Sequence, residues 1–172
     1  MLQRIAQVLG GLVVIVVAIG VVFMVGMRSK SPAVLSAVRR TNRAVFNPRQ
    51  MRSAGTPGAY ASIIRHVGRR SGTGYETPIG VKVIDGGFLF TLPYGSQSDW
   101  VKNVLASGSA TLVHEGETHL VDQPEIVSTD DVLSTFPPNE LRTLRLFNVA
   151  ECMTVRWVRS LDTQSTPVVS GH

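Results

Sequence analysis

The chain is predicted to be mainly β, an antiparallel sheet closing into a small barrel with α-helices inserted, carried behind an N-terminal membrane helix. Three observations predict this. Val8 to Met27 is a run of 20 residues without charge. Beyond residue 53, short alternating segments follow one another as hairpin neighbours. Helical patterns are sparse and fall between hairpins, so there is no βαβ rhythm and no dinucleotide-binding unit.

The apolar run matches the roughly 20 residues that a helix needs to cross a bilayer core. It exceeds the core of a signal peptide, about 7–15 residues, and lacks a good small-x-small cleavage site. Only Arg4 precedes it, whereas Arg28, Lys30, Arg39, Arg40 and Arg43 follow. Positive flanks stay cytoplasmic, so a single-pass protein with its N-terminus outside and its bulk in the cytoplasm is expected. Residues 31–52 continue basic with Arg49 and Arg52, and Leu35, Val38 and Val45 have roughly helical spacing. This juxtamembrane helix either lies on anionic lipid, at about 1 kcal/mol per base, or packs on the domain with a solvated basic face. The net charge of +5 comes largely from here, and no nucleic-acid recognition motif accompanies it.

The folded unit is placed at residues 53–160, with 161–172 a loose polar tail. Tyr60–Val67 alternates as a strand. After the turn GRRSGTG, Glu76–Ile84 alternates as one strand, turning at Asp85-Gly86-Gly87 because glycine supplies positive φ. Phe88–Leu92 returns. Ser98 is placed to cap a helix from Asp99 to Ser107, and Gly108 to stop it. A second hairpin runs Ala110–His114, Glu115-Gly116, Glu117–Asp122. Thr129 opens a short helix to Phe136, Pro137-Pro138 end it, and Asn139 caps another. Met153–Val158 is the last strand.

The chemistry is narrowed by what is missing. No serine sits in a nucleophile elbow. His66, His114, His119 and His172 lack metal-ligand spacing, and the lone Cys152 reads as packing. There is no P-loop and no GxGxxG. Two clusters stand out. Gly68-Arg69-Arg70-Ser71-Gly72 is either a nest of backbone N–H groups with two phosphate-gripping arginines or an ordinary solvated turn. Leu92-Pro93-Tyr94-Gly95-Ser96-Gln97-Ser98-Asp99-Trp100 runs from a strand into a helix N-terminus, which favours anions. Its Trp100 is either a flat wall for a ligand or simply core.

In this order, GRRSG, Thr77-Pro78, the Asp-Gly-Gly hairpin and LPYGSQSDWVKN resemble the deazaflavin-dependent nitroreductase family. The resemblance covers about Ala59 to Val127 and continues more weakly to Val158. It implies a split β-barrel of the FMN-binding type and the 8-hydroxy-5-deazaflavin coenzyme F-420, with FMN the lesser alternative. By that resemblance Arg69 and Arg70, with Ser71 and Gly72 of the same turn, hold the coenzyme phosphate and acidic tail. Thr77, Pro78 and Ile79 line the ring, as do Leu92, Pro93, Tyr94 and Gly95. Trp100 and Asn103 stand beside it, and Lys102 joins the phosphate contacts by its charge.

Two departures mark this chain. Tyr75 replaces a base found in many members, and Leu92-Pro93-Tyr94 replaces a small Ser/Ala loop. The expected activity is hydride transfer from reduced deazaflavin to a hydrophobic acceptor, a quinone or nitro compound. Tyr94 is the expected group polarising that acceptor, with Tyr60 and Tyr75 as alternatives. The runner-up is a barrel that binds a fatty acid or flavin without catalysis. The expected partners are membrane lipid and a hydrophobic small molecule, and a homodimer is possible by base rate.

Overall fold

The computed structural model describes residues 1–158; the tail expected at 161–172 lies outside them. Helix α1 spans Leu2–Arg28. Its apolar stretch Leu9–Arg28 is long enough to cross a membrane, about 30 Å at 1.5 Å per residue. The other described residues leave it uncovered, with Val13, Val14, Val16, Val17 and Ile19 all exposed.

A helical segment follows: α2 at Pro32–Thr41, a π-helical turn at Asn42–Phe46, and α3 at Asn47–Gln50. The α1–α2 junction is tight. Ser31 N–H bonds the Gly26 carbonyl at 2.9 Å and Lys30 N–H that of Met27 at 3.3 Å, with Lys30 left-handed at φ 53°. This double closure is the usual glycine end of a helix, here built on lysine. Gly26 lies against the Val34 side chain, leaving no room for a Cβ.

Seven strands form one antiparallel sheet: β1 Ser62–Val67, β2 Gly74–Ile79, β3 Lys82–Ile84, β4 Gly87–Thr91, β5 Ser109–His114, β6 Glu117–Ser128 and β7 Glu151–Trp157. Their order is β2-β1-β5-β6-β7-β4-β3. The two edges, β2 and β3, are consecutive in the chain. Three Cα steps of about 3.8 Å separate Ile79 from Lys82, so the edges come within about 11 Å. The sheet must therefore curl, and it does so as a half-barrel. The single strand expected at Glu76–Ile84 is broken at Gly80-Val81 for this reason: the chain passes there from one sheet edge to the other. Pro78, which has no N–H, is tolerated because β2 is an edge.

Helix α4, Asp99–Ser107, ends at Gly108 with φ 72° as expected. It packs Val101 and Val104 into the core with Ile64, Phe88, Phe90, Leu92, Leu112, Val121, Met153 and Val155. A second cluster of Leu89, Phe136, Leu144, Val149 and Cys152 lies under a 3₁₀ segment at Thr129–Thr135 and helix α5 at Pro138–Leu146. Strand β4 is thus buried on both faces, which is why Phe88, Leu89 and Phe90 are all apolar. Cys152 is fully buried, and burial pushes its thiol pKa up.

Several expected boundaries move, among them the start of β7, at Glu151 rather than Met153. Strand β6 continues to Ser128 rather than ending at Asp122. A bulge between Asp122 and Glu125 absorbs Pro124, with Gln123 left-handed at φ 49°. Helix α5 starts at Pro138 with Pro137 as its cap, two residues before the expected Asn139 cap; proline at the first helical position costs no hydrogen bond. Strand β1 starts at Ser62, leaving Tyr60 91% exposed.

Candidate functional site

The β1–β2 hairpin presents the basic turn. Within it Gly68 N–H bonds Thr73 O and Gly72 N–H bonds Gly68 O, both at 2.8 Å. Thr73 N–H bonds Ser71 Oγ at 3.3 Å. Arg69 N–H reaches across to Asn103 Oδ1 on α4 at 3.2 Å. Turn closure thus takes the Gly68 and Gly72 amides, and Asn103 takes that of Arg69.

Asn103 joins the two sequence clusters. Its buried Oδ1 also accepts from the Arg69 guanidinium at 2.9 Å, which extends to Asp99 at 3.3 Å. Since Oδ1 is occupied by Arg69, the amide nitrogen faces His66 Nδ1 at 3.1 Å. His66 Nδ1 must then accept, so its proton sits on Nε2 and is donated to Thr77 Oγ1 at 3.2 Å. The chain Thr77–His66–Asn103–Arg69–Asp99 ties the barrel wall to the first turns of α4. In the sequence His66 lacks metal-ligand spacing, which hides it. Its inward place in the β1 alternation was the available signal.

Arg69 therefore acts as a strut, and other cations are left to face solvent. Arg70 is exposed and makes no ion pair among the described residues, and the half-buried Lys102 likewise makes none. Ser71 and Gly72 lie at the exposed tip of the turn, and a Cβ on Gly72 would meet nothing within 4 Å. Tyr75 does not project as a substitute base. It stacks on His66 with ring centroids 5.8 Å apart, its hydroxyl 3.5 Å from Ser71 Oγ.

Trp100 belongs to the core without being sealed in it. It stands edge-on to Phe90 at 5.8 Å and packs on the core, yet it is only partly buried. Pro78 is buried and Ile79 packs on the same core. Leu92 is a core residue at 3% exposure, so it supports the loop from beneath.

The loop itself is held from two sides. Glu151 on β7 accepts from Ser96 N–H at 2.8 Å through its carboxylate and from Leu92 N–H at 3.1 Å through its carbonyl. Gly95, at φ 73°, bonds back to Leu92 O at 2.9 Å. Ser98 precedes α4 without capping it; its hydroxyl donates to Gly95 O at 3.3 Å. From the other side, Asn42 Nδ2 donates to Tyr94 Oη at 2.7 Å and Lys30 Nζ donates to Pro93 O at 3.0 Å. Nothing in the sequence marks Asn42, Lys30 or Glu151 as a site residue, since each contact joins segments more than 50 residues apart.

Burial lowers the His66 pKa, and the Asp99 carboxylate only partly opposes this. A histidine whose folded pKa lies below its unfolded value of about 6.5 contributes stability above that value. This stability is lost as the pH falls through the folded pKa. Thermal melts from pH 8 downward are expected to show wild type losing stability below about pH 6.5, with His66→Gln reducing the slope. An unchanged slope in that variant would remove His66 from the network's titration.

The sequence matches no family profile and no curated protein. Solved structures with a similar backbone include one described as an F420-H2 dependent reductase (FDR-A), at 12% identity and TM-score 0.43, covering 56% of this chain and 94% of the other. Another, described as an F420 reductase, has 12% identity and TM-score 0.41, covering 60% and 88%. A conserved hypothetical protein from Mycobacterium tuberculosis has 13% identity and TM-score 0.45, covering 59% and 75%.

Proposed function

We propose that this protein is a membrane-tethered oxidoreductase that passes hydride from reduced coenzyme F-420 to a hydrophobic acceptor such as a quinone or nitro compound. One observation carries the proposal. Asn103 brings the arginine turn onto the first turns of α4, uniting two clusters whose combination resembles the deazaflavin-dependent family. The donor set fits the group. Arg70 and Lys102, unpaired among the described residues, offer cationic contacts to phosphate and carboxylates, and Trp100 offers a partly open aromatic face on the core that Ile79 also packs against.

When bound, the coenzyme supplies the hydride. The chain's residues bind, orient and exclude water. Arg70 and Lys102 clamp the anionic end, Arg69 and Asn103 keep α4 against the turn, and Trp100 walls the ring. Tyr94 accepts its hydrogen bond from Asn42, so its own O–H is left to donate to the acceptor oxygen where negative charge develops. Tyr60 and Tyr75 fit this role less well: one is almost fully exposed and the other is stacked on His66. In this reading α1 crosses the membrane with its N-terminus outside, and the tether raises the local concentration of lipid-soluble acceptors.

The test is anaerobic oxidation of reduced F-420 by the full chain in lipid nanodiscs with a naphthoquinone acceptor. Parallel titrations use F-420, FMN and a fatty acid. Quinone-dependent oxidation is the expected result. Flat absorbance across quinone and nitro acceptors, with fatty-acid binding alone, would replace this proposal with a lipid-binding barrel.

A further inference from the structure

We propose that Asn42 is a positioning residue for Tyr94, so that the segment leaving the membrane helix builds one wall of the acceptor side of the site. The inference rests on Tyr94 facing the acceptor, as proposed above.

Three observations converge on it. First, the loop Pro93-Tyr94 is gripped twice from the tether side, by Lys30 on its carbonyl at 3.0 Å and by Asn42 on its hydroxyl at 2.7 Å. Second, each gripping residue sits where a regular α-helix stops. Lys30 is left-handed at φ 53°, a conformation costing a non-glycine residue about 1 kcal/mol or more. Asn42 begins the π-helical turn, a feature that recurs at functional positions. Third, the end of α1 is fastened beside this loop. Arg28 donates to the carbonyls of Arg145 and Leu146 at 2.9 and 2.8 Å. Asn148 Nδ2 donates to Arg28 O at 3.2 Å, and Lys30 Nζ lies 3.4 Å from Phe147 O. The last carbonyls of α5 are thus satisfied by cations of the tether.

The geometry assigns a direction to the Tyr94 hydroxyl. An amide donor on Oη occupies an oxygen lone pair and leaves the phenolic hydrogen to point elsewhere. An acceptor molecule arriving from the bilayer then meets a hydroxyl whose position is set by the segment leaving that bilayer.

The experiment uses the full chain in nanodiscs and two readouts. In hydrogen exchange, Asn42→Ala and Lys30→Ala are each expected to raise exchange at Tyr94, Gly95 and Ser96 about 3- to 10-fold, with the residue 68–74 turn unchanged. In naphthoquinone-dependent oxidation of reduced F-420, Asn42→Ala is expected to lower kcat about tenfold with F-420 affinity unchanged. It is expected to cost nothing further in a Tyr94→Phe background. Asn42→Asp, equal in size but acceptor-only, is expected to take the phenolic hydrogen and act like Tyr94→Phe. Unchanged loop exchange, or an Asn42→Ala effect that persists at full size beside Tyr94→Phe, overturns the inference. A wild-type chain that ignores F-420 defeats the proposed function instead, and the exchange measurement then decides alone whether the tether holds this loop.

Discussion

Arg70→Ala is expected to weaken F-420 binding about 10- to 100-fold, the range for losing a charge-assisted contact, while leaving the melting temperature unchanged. The reason is the division of labour between neighbouring arginines. Arg69 is held by Asn103 and Asp99, so its removal disturbs the scaffold. Arg70 is exposed and pairs with no carboxylate among the described residues, so its removal leaves the fold alone. Lys102→Ala is expected to weaken binding less, because ammonium lacks the planar fork that matches phosphate. Both effects are expected to shrink as salt screens the exposed charges. Fluorescence titration at two ionic strengths, beside thermal melts, measures all of this. An Arg70→Ala protein with wild-type affinity would place the coenzyme's anionic end elsewhere.

Asn103→Ala is expected to destabilise the domain by about 3 kcal/mol, as each buried group left without a partner costs about 1–3 kcal/mol. Asn103 is 5% exposed and serves the Arg69 amide, the Arg69 guanidinium and His66 Nδ1 together. The guanidinium can regain water, so the cost falls mainly on the amide and the imidazole. Asn103→Asp separates the parts. Its carboxylate still accepts from Arg69 but offers His66 an acceptor, which favours protonated imidazole. The variant is therefore expected to gain stability relative to wild type as the pH falls below about 6.5, the reverse of the wild-type trend. Urea unfolding at pH 7.5 and 5.5 reads both outcomes. A loss under 1 kcal/mol for Asn103→Ala would show that α4 is held by its apolar face alone.

Much of the architecture was legible because it is local. The hairpin at Asp85-Gly86 and the stop at Gly108 follow from glycine's access to positive φ. The helix at Asp99–Ser107 follows from its apolar stripe, and the β5–β6 turn from Glu115-Gly116. Two errors share a cause: each needed the position of a distant strand. Gly80-Val81 reads as mid-strand until β2 and β3 are known to be opposite edges of one sheet. Pro124 reads as a stop until β7 is in place to hold β6 beyond the bulge. In the candidate site, the sequence picked out Arg69 and Arg70 as a pair, yet their environments differ entirely. Nothing near them in the chain announces Asn103, 34 residues away, as the partner of one and not the other.

Composition and periodicity by themselves determined an uncharged helix long enough for a bilayer, a basic segment behind it and an antiparallel β domain. These depend on neighbours within a few residues. Only the tertiary structure decided that the sheet curls edge to edge, that His66 and Asn103 lock the arginine turn to α4, and that Lys30 and Asn42 grip the Tyr94 loop. Those contacts join residues 34 to 63 positions apart. A side chain's partner at that range is set by how the sheet folds back on itself, which no short-range pattern encodes.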